Sequence, residues 1–203
     1  MVDVLKRYGI REKRLLAAMG KVRRHVFIPE QYRHHQLAYA DRPYPIGIHQ
    51  TISQPYIVAY MTDRLSVRPG ARILEIGTGS GYQAAVLAEL GAEVYSIEFH
   101  PDLAEHARRV LADEGYASRV TVILGDGHEG LPEHAPYDGI IGTCSPTEVP
   151  PKLIEQLKED GCLIAPVGVP NAQELVIIKK VHGVIEQSPD LPVRFVPMLK
   201  RLR

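Results

Sequence analysis

The spacing of apolar residues changes character twice along the chain. From residue 1 to about 36 it is helical, with Val4, Leu5 and Tyr8 followed by Leu15, Leu16 and Met19 ahead of Val22. Pro29 opens a new turn. Residues 41–55 (DRPYPIGIHQTISQP) then break all periodicity with three prolines and one glycine. They are expected to form a long irregular loop, and loops of that kind in compact domains often carry function. A helix is predicted over 54–65, with Ile57, Val58, Met61 and Leu65 on one face, closed by the turn Arg68-Pro69-Gly70.

From there strand-like and helix-like segments alternate. Strands are predicted at 72–76, 93–97, 120–124, 137–142, 162–166, 173–181 and 194–196, and helices at 82–90, 101–114 and 151–159. Pro101 sits at the first turn of the second of these helices and Gly115 stops it. Such alternation predicts a doubly wound α/β fold, with a mainly parallel seven-stranded sheet covered on both faces and preceded by N-terminal helices. The last segments have no helix between them, so a hairpin should add antiparallel pairing at one edge. Length allows a single domain. Within it, residues 1–67 should carry the substrate-specific helices and loop, and 68–203 the ligand-binding core.

Candidate chemistry lies at the strand ends. The first core strand runs into Gly77-Thr78-Gly79-Ser80-Gly81 and then directly into a helix. In open parallel sheets ligands bind beyond the carboxyl ends of the strands at such a turn. The spacing is GxGxG, with Tyr82 where a dinucleotide-binding GxGxxG needs its third glycine, and the Lys-Ser/Thr of a phosphate-binding loop is missing. Glu75 precedes the turn, Glu98 ends the next strand, and Asp126 and Gly127 follow the third. Carboxylates there would repel a pyrophosphate but attract a sulfonium and an α-amino group. Glu98 is placed to accept ribose hydroxyls, and Asp126 to take an adenine amino group. Acid at three successive strand ends thus points to S-adenosylmethionine. Each carboxylate also has a structural reading: Glu75 as a buried partner of an arginine, Glu98 and Asp126 as helix caps.

Composition removes several other classes. Lys plus Arg and Asp plus Glu are 24 each, so no basic excess is available to grip a nucleic-acid backbone. Small basic clusters at Lys21, Arg23, Arg24 and His25, and at Lys200, Arg201 and Arg203, read as solvated surface. No apolar run reaches the ~18 residues of a membrane span, and the first residues lack a signal-peptide pattern. Cys144 and Cys162 form no metal or disulfide motif, and the histidines include no HExxH. A cytoplasmic monomer with no metal, nucleic-acid partner or membrane contact is expected.

At YADRPYPIGIHQTISQPYIVAYMTDRL (39–65), ILEIGTGSGYQAAVLAEL (73–90), VYSIE (94–98), GDGHEGLPEHAPYDGII (125–141) and VRFVPM (193–198) the sequence resembles the protein-L-isoaspartate (D-aspartate) O-methyltransferases. The resemblance implies a class I, Rossmann-like methyltransferase fold. It also implies methyl transfer from S-adenosylmethionine, leaving S-adenosylhomocysteine, to the free α-carboxylate of isoaspartyl residues in damaged peptides and proteins. Repair through a succinimide would follow. Carried over by the resemblance, cofactor positions are Gln50, Thr51, Ile52, Ser53, Glu75, Gly77, Gly79, Glu98, Asp126 and Gly127, and Ser53 is the active-site residue. Ser53 also reads as an N-cap of the helix behind it, whose N-terminus could itself serve a carboxylate. His49, Phe99, the run Gly142 to Pro146 and Leu199-Lys200 depart from the family pattern and bear on substrate range. Alternatives are a small-molecule or RNA methyltransferase of the same fold, a nicotinamide dehydrogenase, and a non-catalytic relative that binds the cofactor.

Overall fold

A computed structural model describes residues 1–200; Arg201 and Arg203 of the second basic cluster lie outside the described residues. The N-terminal part is less continuously helical than its spacing predicts. It comprises α1 (Val2–Arg7), α2 (Lys13–Lys21), single turns at Arg24–Phe27 and Glu30–Tyr32, and α3 (His35–Ala38). Pro29 and the extended backbone at Val22 and Ile28 interrupt it. The Arg24 side chain is fully buried, lies 4.9 Å over the Tyr82 ring and donates to the Ala38 carbonyl at 2.8 Å. It pins this segment to the core.

The stretch expected to be irregular contains a hairpin, β1 (Tyr44–Gly47) with β2 (Gln50–Ile52), paired antiparallel at Tyr44↔Ile52 and Pro45↔Thr51. Gly47, Ile48 and His49 turn it with φ of 98°, 51° and 56°. Two-residue alternation over so few residues is too short to read beside three prolines. α4 (Pro55–Leu65) follows with proline in its first turn, where a missing N–H costs nothing.

The core then winds as expected: β3 (Arg72–Ile76), α5 (Tyr82–Glu89), β4 (Glu93–Glu98), α6 (Pro101–Asp113), β5 (Val120–Leu124), β6 (Tyr137–Gly142), α7 (Pro151–Glu155), β7 (Leu157–Val169), β8 (Ala172–Val181) and β9 (Val184–Val193). The sheet order is β5-β4-β3-β6-β7-β8-β9, parallel through β7 and antiparallel for the last two pairings. Winding runs outward from β3 in one direction to β5 and then restarts on its other side at β6. The crevice at that reversal is where a ligand fits.

Two predicted boundaries are corrected. The helix at 151–159 stops at Glu155, because Leu157 already pairs with Tyr137 and extends β7 backwards. The final strand is β9, and 194–196 lies beyond it outside any strand. β9 is largely exposed and carries Pro189 and Pro192, which only an edge strand tolerates, so it lacks a hydrophobic signal.

Both sheet faces are covered. Ile73, Val94 and Val122 pack with α4, α5 and α6 through Val58, Met61, Val86, Leu103 and Leu111. Leu74, Ile76, Ile140 and Leu163 pack with Leu153 of α7 on the other face. Each fully buried aliphatic side chain contributes ~1.5–3 kcal/mol, and the sum holds the strand ends, hence the site, in place.

Candidate functional site

The turn after β3 exists because of its glycines. Gly77 has φ of 97°, and a Cβ there would stand 2.6 Å from Thr143 Oγ1. That hydroxyl is itself fixed, donating to the Ile76 carbonyl at 3.0 Å and to the Gly77 carbonyl. Gly77 and Thr78 donate backbone N–H groups to the Ile97 carbonyl at 2.8 and 3.2 Å, binding the turn to the end of β4. Gly81, at φ of 88°, starts α5 against Leu111. The chain thus passes below β3's end without a side chain filling the crevice.

Two carboxylates face that crevice. Glu98 accepts from the Gly79 N–H at 2.7 Å and from the His100 N–H at 2.9 Å, one on each oxygen, and both oxygens keep a lone pair. Glu75 is fully buried, and its Oε2 accepts from Ser96 Oγ at 2.5 Å. Ser96 Oγ lies 2.6 Å from Thr78 Oγ1 in turn. Glu75 Oε1 has no partner. Burial pushes the Glu75 carboxyl up to about 8, opposed by the Ser96 hydrogen bond and reinforced by Glu98. Among the described residues no arginine pairs with Glu75, so its reading as a buried ion-pair partner finds no support there.

These groups open into a single cleft at the carboxyl ends of β3 and β4. Of the residues expected at the cofactor, Gln50, Thr51, Ile52, Ser53, Glu75, Gly77, Gly79, Glu98 and Gly127 line it together. β2 and Ser53 form one wall, and the turn with the ends of β3 and β4 forms the floor. A Cβ on Gly127 would collide with Ile76 at 2.3 Å, so that glycine is needed for close packing at the rim. Asp126 does not line the cleft. Its carboxylate accepts from the His128 N–H at 3.0 Å and sits 2.9 Å from His128 Nδ1, capping the turn Gly127–Glu129.

Ser53 stands where the cleft meets a second groove, and Thr51, Thr143 and Val196 also line both. Gln54, Ile57, Pro192 and Arg194 contribute to the second groove. The N-cap reading of Ser53 is corrected: the cap residue of α4 is Gln54, and the group bonded to the first turn is Asp41. Its carboxylate accepts from Tyr56 N–H at 2.8 Å and from Gln54 Nε2 at 2.9 Å. Asp41 thus takes one N–H of that helix N-terminus, and Ser53 lines both cavities.

Residues that the sequence reading did not assign to the cofactor complete the cleft. Thr143 and Cys144 follow β6, and Val196 to Leu199 cross the opening. This crossing segment is tied down by Ser145 N–H to the Val196 carbonyl at 2.8 Å and Met198 N–H to the Ser145 carbonyl at 2.9 Å. Both segments carried a signal, since they hold the departures at 142–146 and 199, but no periodicity places them at the site. His100, whose Nε2 is buried without a partner, is a third addition.

The residues present fit S-adenosylmethionine. An orphaned carboxylate oxygen, a second carboxylate with acceptor capacity and a turn kept clear of side chains meet the needs of a cationic nucleoside.

The profile of the protein-L-isoaspartate(D-aspartate) O-methyltransferase family matches residues 1–203. A protein-L-isoaspartate O-methyltransferase of Gloeobacter violaceus is 52% identical over 202 residues, covering 98% of this chain and 97% of that one. One solved protein-L-isoaspartate O-methyltransferase superposes with a TM-score of 0.87 at 31% identity over 97% of this chain, which spans 64% of that chain's length. A candidate member from Plasmodium falciparum, in complex with S-adenosyl-L-homocysteine, gives a TM-score of 0.86 at 27% identity over 98% of this chain and 97% of that chain.

Proposed function

The chain belongs to the protein-L-isoaspartate(D-aspartate) O-methyltransferase family, and from that premise we propose how its residues divide the work. It is an enzyme that uses S-adenosylmethionine to methylate isoaspartyl residues of other proteins. A small-molecule methyltransferase and a non-catalytic relative are not favoured, because near full-length relatives at about 50% identity carry the repair-enzyme name. When bound, S-adenosylmethionine supplies an electrophilic methyl group on a sulfonium.

In our reading Glu75, Gly77, Gly79 and Glu98 hold that cofactor, Gly127 closes its rim, and Gln50 to Ser53 separate it from the acceptor. Asp126 acts at the adenine end, where the cap it forms shapes the backbone around Gly127. An isoaspartyl α-carboxylate has a pKa of ~3.5 and is ionised at pH 7, so it needs no general base. What the protein must supply is alignment, which is worth up to ~7–11 kcal/mol of barrier. Ser53 orients the acceptor carboxylate by donating a hydrogen bond and does not attack it; no histidine partners it. The ester so formed closes to a succinimide as the next backbone nitrogen displaces methanol, and hydrolysis returns part of the residue to normal aspartate. Residues 1–67 present the acceptor side and 68–203 the cofactor side, within one domain. The even balance of charge supports a protein acceptor over nucleic acid, and among the described residues no helix is long and apolar enough to cross a membrane. We propose a cytoplasmic monomer.

The position of Ser53 on both cavities carries this reading. Its test is methyl incorporation from labelled S-adenosylmethionine into an isoaspartyl hexapeptide and into its aspartyl twin. Label in the first alone is the expected result; equal label in both, or in neither, refutes it.

A further inference from the structure

The cofactor cleft holds an unusual charge arrangement. Among the described residues its lining includes two carboxylates, Glu75 and Glu98, and no lysine or arginine. Around Glu75 the polar neighbours are Ser96 and Glu98 from β4, Thr78 from the glycine turn and Cys144 from the segment after β6. None of them is a cation. The Cys144 thiol stays neutral, since burial pushes it up to about 12 and both glutamates push in the same direction. Two like charges in a buried site without a counter-ion cannot both be sustained.

Glu75 is the member that must give way. It is fully buried with one oxygen unpartnered, whereas Glu98 takes two backbone N–H donors. Among the described residues, Ser96 is its single hydrogen-bond partner. A hydroxyl can donate to a carboxylate or accept from a carboxylic acid, so the contact survives a change of charge on Glu75. Thr78 can reverse with it at the other end of the chain of hydroxyls.

The geometry points to a proton-coupled cofactor site: Glu75 is a carboxylic acid in the free enzyme, and it releases that proton to solvent when S-adenosylmethionine brings its sulfonium and ammonium groups into the cleft. Ser96 is then a positioning residue, which acts through Glu75 by setting how readily the proton leaves. This inference rests on the reading of the cleft as the cofactor site. It also bears on turnover. Methyl transfer takes the positive charge off sulfur, which weakens the hold of an ionised Glu75 on the product and favours return of the proton.

Isothermal titration calorimetry of the whole chain with S-adenosylmethionine tests it in two buffers of different ionisation enthalpy. Measurements between pH 6 and 7 stay below the range of the ligand's own α-amino group, about 7.7–8.0. The expected result is a buffer-dependent heat equal to release of about one proton, with the dissociation constant falling about tenfold across that pH unit. Ser96→Ala should move the pH of half-release upward by about one unit, because the ionised carboxylate loses a donor. Glu75→Gln should abolish the buffer dependence. Binding with the same heat in both buffers and a flat pH profile overturns this inference and leaves the cofactor reading standing. Absence of any binding overturns both. The wild-type measurement decides even where a variant fails to fold.

Discussion

Gly77 carries more of the site than any polar residue in it, because its φ of 97° and the 2.6 Å approach to Thr143 Oγ1 both exclude a Cβ. Gly77→Ala should cost ~1–3 kcal/mol of stability and weaken cofactor binding at least tenfold, read by urea unfolding and by equilibrium binding. His49 is the opposite situation: a side chain sits at φ of 56° in the β1–β2 turn, a left-handed conformation that favours glycine. His49→Gly removes a left-handed penalty of ~1–2 kcal/mol against an entropy cost of ~0.5–1 kcal/mol. An unfolding free energy unchanged or raised by up to about 1.5 kcal/mol is therefore expected in urea titration. A clear loss of stability would mean that the imidazole makes a contact worth more than the strain. At this scale the sequence was readable where a residue's chemistry is local. Glu75, Glu98 and the glycines could be found because strand ends and turns declare themselves. Thr143 and Val196 reach the cleft only through the sheet's winding, and Asp126 reads alike as a cap and as a ligand contact because both want the same side chain.

The short elements around the acceptor side depend on one carboxylate. Asp41 holds the first turn of α4 through Tyr56 N–H and Gln54 Nε2, and Ser53 lies between that turn and β2. Asp41→Ala should lower stability by ~1–2 kcal/mol through loss of the cap and its favourable charge at the helix N-terminus. It should also reduce kcat for an isoaspartyl peptide with little change in cofactor affinity. Unchanged kcat would show that Ser53 is held by other contacts. The core strands β3, β4 and β6 were legible because both of their faces are buried, leaving runs such as ILEI and VYSI that no loop would carry. β9 was not, since its residues face water and its pairing partner alone keeps it extended. The hairpin β1–β2 failed to show for a related reason: its one strongly buried position on each strand, Ile46 and Ile52, is too little to make a period.

For the molecule as a whole, buried ionisable groups set how stability follows pH. Glu75 has an ordinary value of 4.5 and a folded value of about 8, so between these the folded chain holds a proton that the unfolded chain lacks. Raising the pH through that window therefore destabilises the free protein, by up to ~1.4 kcal/mol per unit. Over a chain of this length that is ~2–4 °C per kcal/mol. His25 and His106 act in the other direction. Burial lowers both, with His35 adding to the effect at His25 and Arg109 at His106, so their stabilising contribution is lost as pH falls below about 6.5. Thermal melts of the cofactor-free protein should peak near pH 6 to 6.5, and Glu75→Gln should remove the alkaline limb while leaving the acid limb. A melting curve flat from pH 6.5 to 7.5 in the wild type would contradict the burial of an uncompensated carboxyl. The most direct test of the account remains the junction at Ser53, where the cofactor cleft opens into the acceptor groove. Ser53→Ala, measured for kcat with an isoaspartyl peptide and for the dissociation constant of S-adenosylmethionine, should lose ~10- to 100-fold in kcat, the worth of one hydrogen bond to a charged group. Cofactor affinity should stay within about threefold. Undiminished kcat, or an equal collapse of cofactor binding, would place the acceptor carboxylate elsewhere.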